Sequence, residues 1–351
     1  MKSCFSCDVT LNEKFTPPYL LQNPHLQTVL ASLSLRKIFI GRRVDTLLDK
    51  AREKILDCGN GVRLLGSYSC RPGNQNKIVV LIHGWEGSID STYLLSAASV
   101  LFENGFNVFR INLRDHGNSH HLNRELFNST RLDEVVNGVG EIFRLFPHEK
   151  QYLAGFSLGG NFALRVGLQA PEKAIRLDKI VAISPLISPG NTSRNLEQNL
   201  FVYHAYFVKK WRRSLRKKIS MFPDLGYGET VLKLNSLSRL NDYFVPNHTD
   251  FARAESYLYA YGLTEDRLAD LVVDSHIIAS EDDPITKIED LALITTHPPS
   301  LQIEITRYGG HCGFLKDYSL NSWVDHRLVT LFLEKQGECI VPPVNMHKYL
   351  N

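Results

Sequence analysis

Long hydrophobic runs are missing from this chain. Hydrophobic residues make up 43% of its 351 positions, yet none of them gather into the about eighteen consecutive apolar residues that a membrane-spanning helix needs. The segment Met1 to Leu11 holds polar and charged residues where a secretion signal would need an apolar core. A strong excess of one charge is missing too. Forty Lys and Arg face 37 Asp and Glu, a formal net charge of +3, which gives nucleic-acid binding no global support. Cysteine is sparse and scattered, at Cys4, Cys7, Cys58, Cys70, Cys312 and Cys339. Cys4-Phe5-Ser6-Cys7 is a C-x-x-C with no second pair to complete a zinc site. Internal repeats and low-complexity segments are also absent. What remains is a chain long enough to bury a large core, with the cytoplasm as its expected location and its thiols expected to be reduced.

Against these absences stands Gly155-Phe156-Ser157-Leu158-Gly159-Gly160, directly after the apolar run Gln151 to Ala154. This G-x-S-x-G turn lies between a strand signal and a helix expected over Asn161 to Gln169. A serine on such a turn has its hydroxyl pushed out of the sheet, and flanking glycines let the backbone turn without Cβ clashes. The helix beneath would offer free N–H groups and the positive end of its dipole. The pattern alone also fits a glycine-rich turn with a solvent-facing serine. Its partners decide between the two readings.

A serine nucleophile needs a histidine and a carboxylate, in chain order Ser, Asp or Glu, His. The strand-like run Asp274 to Ser280 ends in Glu281-Asp282-Asp283-Pro284. A second strand signal over Leu301 to Arg307 alternates apolar and polar residues and ends in Tyr308-Gly309-Gly310-His311-Cys312. Ser157 is therefore read as nucleophile, His311 as general base and then acid, and Asp283 as the carboxylate that fixes the imidazole tautomer. Asp282 remains the alternative acid, and one of the two aspartates is expected to cap a helix. Cys312, beside the histidine, is read as packing.

Acyl transfer also needs donors for the oxyanion. The apolar strand Ile78 to Ile82 runs into His83-Gly84-Trp85-Glu86-Gly87. The backbone N–H groups of Trp85 and Leu158 are the candidate donors, with His83 supporting the loop. The run Asn112 to His121 holds Arg114, Asp115, His116, His120 and His121. Imidazole and carboxylate suit zinc or iron, but a network bracing the oxyanion turn is the preferred reading, with Arg114 and Asp115 bonding across the mouth. No metal and no cofactor are expected.

Strand and helix signals alternate from Ile78 to Ser184: strands at Ile78–Ile82, Asn107–Ile111, Gln151–Gly155 and Lys179–Ser184, with helices around Tyr93–Glu103 and Asp133–Leu145. A closing helix follows from about Ser322 to Lys335. Such alternation predicts an α/β fold with a mostly parallel sheet and helices on both faces. Gly59-Asn60-Gly61, within Cys58 to Cys70, predicts a hairpin turn with strands on either side. Residues 1–50 read as a leader wrapping the core, which is expected over 50–185 and 265–340. Between them, 186–264 is aromatic-rich and partly helical, an inserted cap that would exclude water and shape an apolar pocket. Within it, Lys209 to Lys218 is a basic run. A solvated helix face, a peripheral contact with anionic lipid and nucleic-acid binding compete there, in that order.

Taken together, these motifs resemble the YheT-like α/β-hydrolases, relatives of the abhydrolase-domain esterases and lipases. The resemblance spans nearly the whole chain. Phe15-Thr16-Pro17-Pro18-Tyr19-Leu20 and Asn23-Pro24-His25-Leu26-Gln27-Thr28 are similar to that group's leading signature, the second being the most specific to it. His83 to Gly87, Asn112 to Gly117, Gly155 to Asn161, Asp283-Pro284 and Gly309 to His311 belong to the wider superfamily. The resemblance implies an α/β-hydrolase fold acting on carboxylic esters through an acyl-serine intermediate. Medium or long, lipid-like acyl groups are the expected substrates. A thioesterase or amidase would use the same triad, and a non-catalytic hydrolase-like module binding a lipid or partner is the alternative of another class.

Overall fold

The computed structural model describes residues 9–12, 15–71, 73, 76–227 and 231–334, so Cys4, Cys7 and Cys339 lie outside the described residues. In chain order, β1 (Val9–Asn12), α1 (Pro24–Ser32) and α2 (Arg36–Leu48) precede the hairpin of β2 (Ala51–Asp57) and β3 (Arg63–Ser69). Then come β4 (Lys77–Ile82), α3 (Thr92–Glu103), β5 (Asn107–Ile111), α4 (Leu132–Leu145), β6 (Lys150–Phe156), α5 (Leu158–Gln169) and β7 (Lys179–Ile183). A helical insertion follows, α6 (Pro189–Asn199), α7 (Phe201–Met221), α8 (Leu237–His248) and α9 (Ala254–Ala260), before β8 (Ser275–Ser280), β9 (Leu301–Thr306) and α10 (Trp323–Leu333).

Among the described residues the strands form one sheet in the order β1-β9-β8-β7-β6-β4-β5-β3-β2. Only the β2–β3 and β3–β5 pairings are antiparallel. Strands buried on both faces read as continuous apolar runs. Ile78, Val79, Val80, Leu81 and Ile82 accordingly have no exposed surface, and burying each such side chain is worth about 1.5–3 kcal/mol. Helices α4 and α5 cover one face; α2, α3 and α10 cover the other. The chain moves from β4 outward to β5 and then returns to place β6 on the other side of β4. That reversal opens a crevice at the carboxyl ends of β4 and β6, where open α/β sheets bind ligands.

The leader does more than wrap. Its strand β1 pairs in parallel with β9 along Val9↔Ile303 to Asn12↔Thr306, and its two helices pack over α3. Asn23-Pro24 opens α1 for an identifiable reason: the Asn23 side chain accepts from the N–H groups of His25 and Leu26, and proline at the first helical position needs no donor. The insertion has its own apolar cluster, including Val208, Leu215, Leu240 and Phe244. Its helices α6 and α8 begin at capping serines, Ser188 and Ser236.

Candidate active site

Ser157 sits between β6 and α5 with φ 55° and ψ −117°, a conformation that costs an L-residue of order 1–3 kcal/mol. The helix starts at Leu158, not Asn161 as its composition suggests, because the turn after the serine is that tight. A Cβ on Gly155 would lie 2.0 Å from the Gly159 carbonyl oxygen, so only glycine fits there. The Ser157 N–H donates to the Ile183 carbonyl at 2.8 Å.

The adjacent strand brings in the second loop. β4 and β6 run in parallel with Ile82 opposite Gly155, and a Cβ on Gly84 would be 3.2 Å from the Ser157 Cβ. The Trp85 N–H donates to no acceptor among the described residues, and Leu158, as the first residue of α5, has no intrahelical acceptor. The loop is held by neutral histidines. Burial and nearby His116 keep the His83 imidazole well below its ordinary range. Its Nδ1 faces the Gly84 carbonyl at 2.7 Å and its Nε2 accepts from the Leu113 N–H. Burial likewise holds His116 down to about 4; its Nε2 accepts from the Glu86 N–H at 3.1 Å. The Tyr93 hydroxyl accepts from the Gly84 N–H.

Arg114, Asp115 and His120 of the polar loop have protein partners. Arg114 pairs with Glu134 and Glu125 rather than across the mouth. Asp115 pairs at 2.7 Å with Lys218, whose side chain is fully buried, and His120 Nε2 lies 2.8 Å from Ser214 Oγ. The basic run is therefore divided. Lys218 is internal and Lys217 bonds the Gly117 carbonyl, while Lys209, Arg213 and Arg216 face outward.

His311 Nδ1 lies 2.8 Å from Asp283 Oδ2. Burial alone would lower the imidazole pKa, but the Asp283 carboxylate overrides it and holds the ring well above 6.5. Asp283 Oδ1 accepts from the N–H groups of Ile285 and Thr286, and Oδ2 also accepts from the Thr286 hydroxyl. The turn-capping bonds and the histidine contact thus fall on one aspartate. Asp282 instead secures the backbone of the histidine loop, its Oδ1 accepting from the Gly310 N–H at 2.8 Å. With Nδ1 engaged by Asp283, Nε2 is the imidazole nitrogen that the carboxylate does not hold. The histidine loop meets the same end of β7 as the serine turn: Cys312 Sγ lies 3.9 Å from the Ile183 carbonyl that the Ser157 N–H bonds. Among the described residues the Ser157 hydroxyl makes no hydrogen bond to His311; such contacts commonly tighten only when substrate binds.

Three neighbours had no role in the sequence reading. Thr28 Oγ1 accepts from the His311 N–H at 2.9 Å and donates to the Pro24 carbonyl. Thr286 touches both Asp283 and His311. Tyr203 lies on α7, 3.0 Å from His25 Nδ1. The capped start Asn23-Pro24 was the available signal for the first. Above the crevice, an apolar cavity runs between the insertion and the core, lined by Trp85, Leu158, Leu196, Trp211, Phe244 and Tyr257 among others.

The sheet, the serine turn and the histidine loop define an α/β-hydrolase, and residues 77–318 match the alpha/beta hydrolase fold family, to which the chain belongs. Within it the chain is YheT-like. It is 23% identical over 337 residues to YheT of Escherichia coli (strain K12), spanning 92% of this chain and 95% of that one. Phospholipase ABHD3 of Bos taurus is 23% identical over 249 residues, 68% of this chain and 58% of its own length. Among solved structures, the Pyrococcus furiosus esterase Pf2001 aligns with a TM-score of 0.55 at 16% identity, covering 82% of this chain and 92% of that one. A bacterial membrane phospholipase A aligns at 0.53 and 14% identity, over 88% and 96%. The chain is thus an esterase-like hydrolase by family. Among the described residues no helix is long and apolar enough to cross a membrane.

Proposed function

We propose that this hydrolase cleaves carboxylic esters through an acyl-serine intermediate, with Ser157 as nucleophile, His311 as base and acid, and Asp283 as the orienting carboxylate. The observation that carries the reading is the His311 imidazole fixed by Asp283 at 2.8 Å, and the strained turn at Ser157 supports it. Ser157 Oγ attacks the ester carbonyl carbon while His311 Nε2 takes its proton. The Trp85 and Leu158 N–H groups hold the oxyanion. The tetrahedral species collapses, and the leaving alkoxide takes the proton from His311. Water then attacks the acyl carbon, gives its proton to His311, and the acid departs as Ser157 Oγ regains a proton.

The insertion over 186–264 serves in this reading as a cap. The apolar cavity beneath it would suit a medium or long, lipid-like acyl chain, and the phospholipase names among the relatives point the same way. A cytoplasmic location belongs to the same proposal. One observation favours the second reading, a hydrolase-shaped binding module: the Ser157 hydroxyl is not bonded to His311. Hydrolysis of p-nitrophenyl esters from acetate to long chains, by the wild type and Ser157→Ala, separates the two. Turnover abolished by the substitution supports catalysis. A folded wild type inert on every chain and unlabelled by a fluorophosphonate supports the module.

A further inference from the structure

Two stretches of this chain contain no acidic residue at all: the one between Glu13 and Asp45 and the one between Glu197 and Asp224. The fold brings them together. His25 on α1 meets Tyr203 on the first turn of α7, with a 3.0 Å hydrogen bond and ring centroids 5.8 Å apart; α1 in turn packs on α2. Both stretches expose large apolar side chains where they meet solvent. Tyr19 is 83% exposed, Ile38 75%, Phe201 80% and Val202 76%, with Leu20, Leu35, Phe39 and Tyr206 at least half exposed.

The exposed stripe of α7 is ordered along its axis. Val202, Tyr206, Lys209, Arg213 and Arg216 recur at helical spacing on the solvent side, so its apolar end lies beside the leader and its basic end leads away. On α2, Lys37 and Arg42 flank Ile38 and Phe39. None of these five basic residues has an ion pair among the described residues.

We propose that this surface docks on an anionic lipid bilayer, the leader and the first turns of α7 inserting their apolar tips while Lys37, Arg42, Lys209, Arg213 and Arg216 meet the headgroups. Exposed apolar side chains flanked by cations, on two stretches without an acidic residue, match an interfacial surface in chemistry and charge. The surface is also well placed. Thr28, one turn along α1 from Pro24, bonds the His311 backbone, so the docking face borders the rim of the proposed active site. The inference deepens the lipid-like substrate reading, since docking would deliver such an ester from its own phase. It differs from a contact through the whole run Lys209 to Lys218, because Lys218 is engaged inside and Lys217 bonds the Gly117 carbonyl.

The test is co-sedimentation of the full chain with phosphatidylcholine vesicles, with and without phosphatidylserine, at low and at high salt. Binding should require phosphatidylserine, weaken with salt, and fall about five-fold for each charge removed in Lys209→Gln/Arg213→Gln/Arg216→Gln. Ile38→Ser/Phe201→Ser should weaken it by about ten-fold or more. Both variants should hydrolyse a short soluble ester as the wild type does. The proposal is overturned by absence of binding, by variants that bind as the wild type, or by a concentration-dependent dimer that Ile38→Ser/Phe201→Ser dissolves. Vesicle binding without any ester turnover would instead defeat the catalytic reading and leave this one standing.

Discussion

The backbone N–H of His311 donates to the hydroxyl of Thr28 at 2.9 Å, across 283 positions of sequence. The same threonine donates to the Pro24 carbonyl, so the first turn of α1 serves as a fixed wall for the histidine loop. Neighbouring Gln27, wholly buried, donates to the carbonyls of Leu21 and Leu315 and accepts from the Leu315 N–H. A Cβ on Gly310, whose φ is +53°, would stand 2.5 Å from the Pro24 carbonyl oxygen. The segment Asn23 to Thr28 is thus a capped turn that clamps the loop carrying His311.

Thr28 is a positioning residue in this arrangement. Thr28→Val keeps the shape but leaves a buried N–H unpaired, a loss of about 1–3 kcal/mol. We expect kcat for a p-nitrophenyl ester to fall about ten-fold with KM little changed, and Thr28→Ser to restore most of it. A Thr28→Ser enzyme as slow as Thr28→Val would show that packing of the methyl group, not the hydrogen bond, matters.

The strained serine makes a double prediction. Ser157→Ala should lower turnover by about 10⁴-fold or more and abolish fluorophosphonate labelling. Ser157→Gly should be equally inactive yet more stable, by about 1 kcal/mol, because glycine adopts φ 55° without the steric cost. Urea unfolding of the three proteins checks this; a Ser157→Gly protein less stable than the wild type would refute the strain argument.

The paired aspartates are separable. Asp283 touches the imidazole, whereas Asp282 holds the Gly310 N–H and leaves its Oδ2 without a partner among the described residues. Asp283→Asn should cost about 10⁴-fold in kcat. Asp282→Asn, whose amide oxygen can still accept from Gly310, should cost less than about ten-fold. Equal losses at the two positions would contradict the assignment.

The pH profile follows from the same pair. Asp283 holds His311 well above 6.5, and only the neutral ring can accept the serine proton. Turnover should therefore rise with pH through a limb placed above 6.5. Removing the carboxylate's charge in Asp283→Asn should move the residual limb downward. Stability has the opposite sign. A raised folded pKa stabilises fully below the unfolded value of about 6.5, and that contribution is lost as pH rises through the folded pKa. The stability gap between wild type and Asp283→Asn should narrow in alkali, which denaturant titrations across pH will show.

The central sheet was legible in the sequence because strands buried on both faces must be short apolar runs. Asn107–Ile111 was read at its observed bounds, and β4, β6 and β7 to within a residue or so. The leader was harder. β1 has four residues and joins the sheet by pairing with β9, far away in sequence, so nothing local marks it. For the candidate site, the sequence favours Asp283 with Asp282 as the alternative acid, and Asp283 is the aspartate that meets His311. The Thr28 bond could not be read in this way, because its donor is a backbone N–H and carries no residue signature. The basic run misleads for a related reason: composition shows a continuous basic stretch, while helical phase decides which side chains face inward.

Lys218 is where that phase matters most. Its ammonium, with no exposed surface, bonds Asp115 at 2.7 Å and also the carbonyls of His120, Asn123 and Glu125. Burial pulls its pKa down while Asp115 raises it. The pair fastens α7 to the loop after β5, the loop whose His116 braces Glu86. Replacing a buried ion by a neutral chain strands its partner: Lys218→Met should cost about 3–5 kcal/mol in unfolding free energy, because Asp115 then lies buried and uncompensated. Arg216→Met, on the same helix but exposed, should cost less than about 0.5 kcal/mol. Adding Asp115→Asn to Lys218→Met should recover part of the loss, since it removes the stranded charge. If Lys218→Met and Arg216→Met unfold at the same urea concentration, the ammonium is not inside the protein, and the fastening of the insertion to the core must come from its apolar contacts alone.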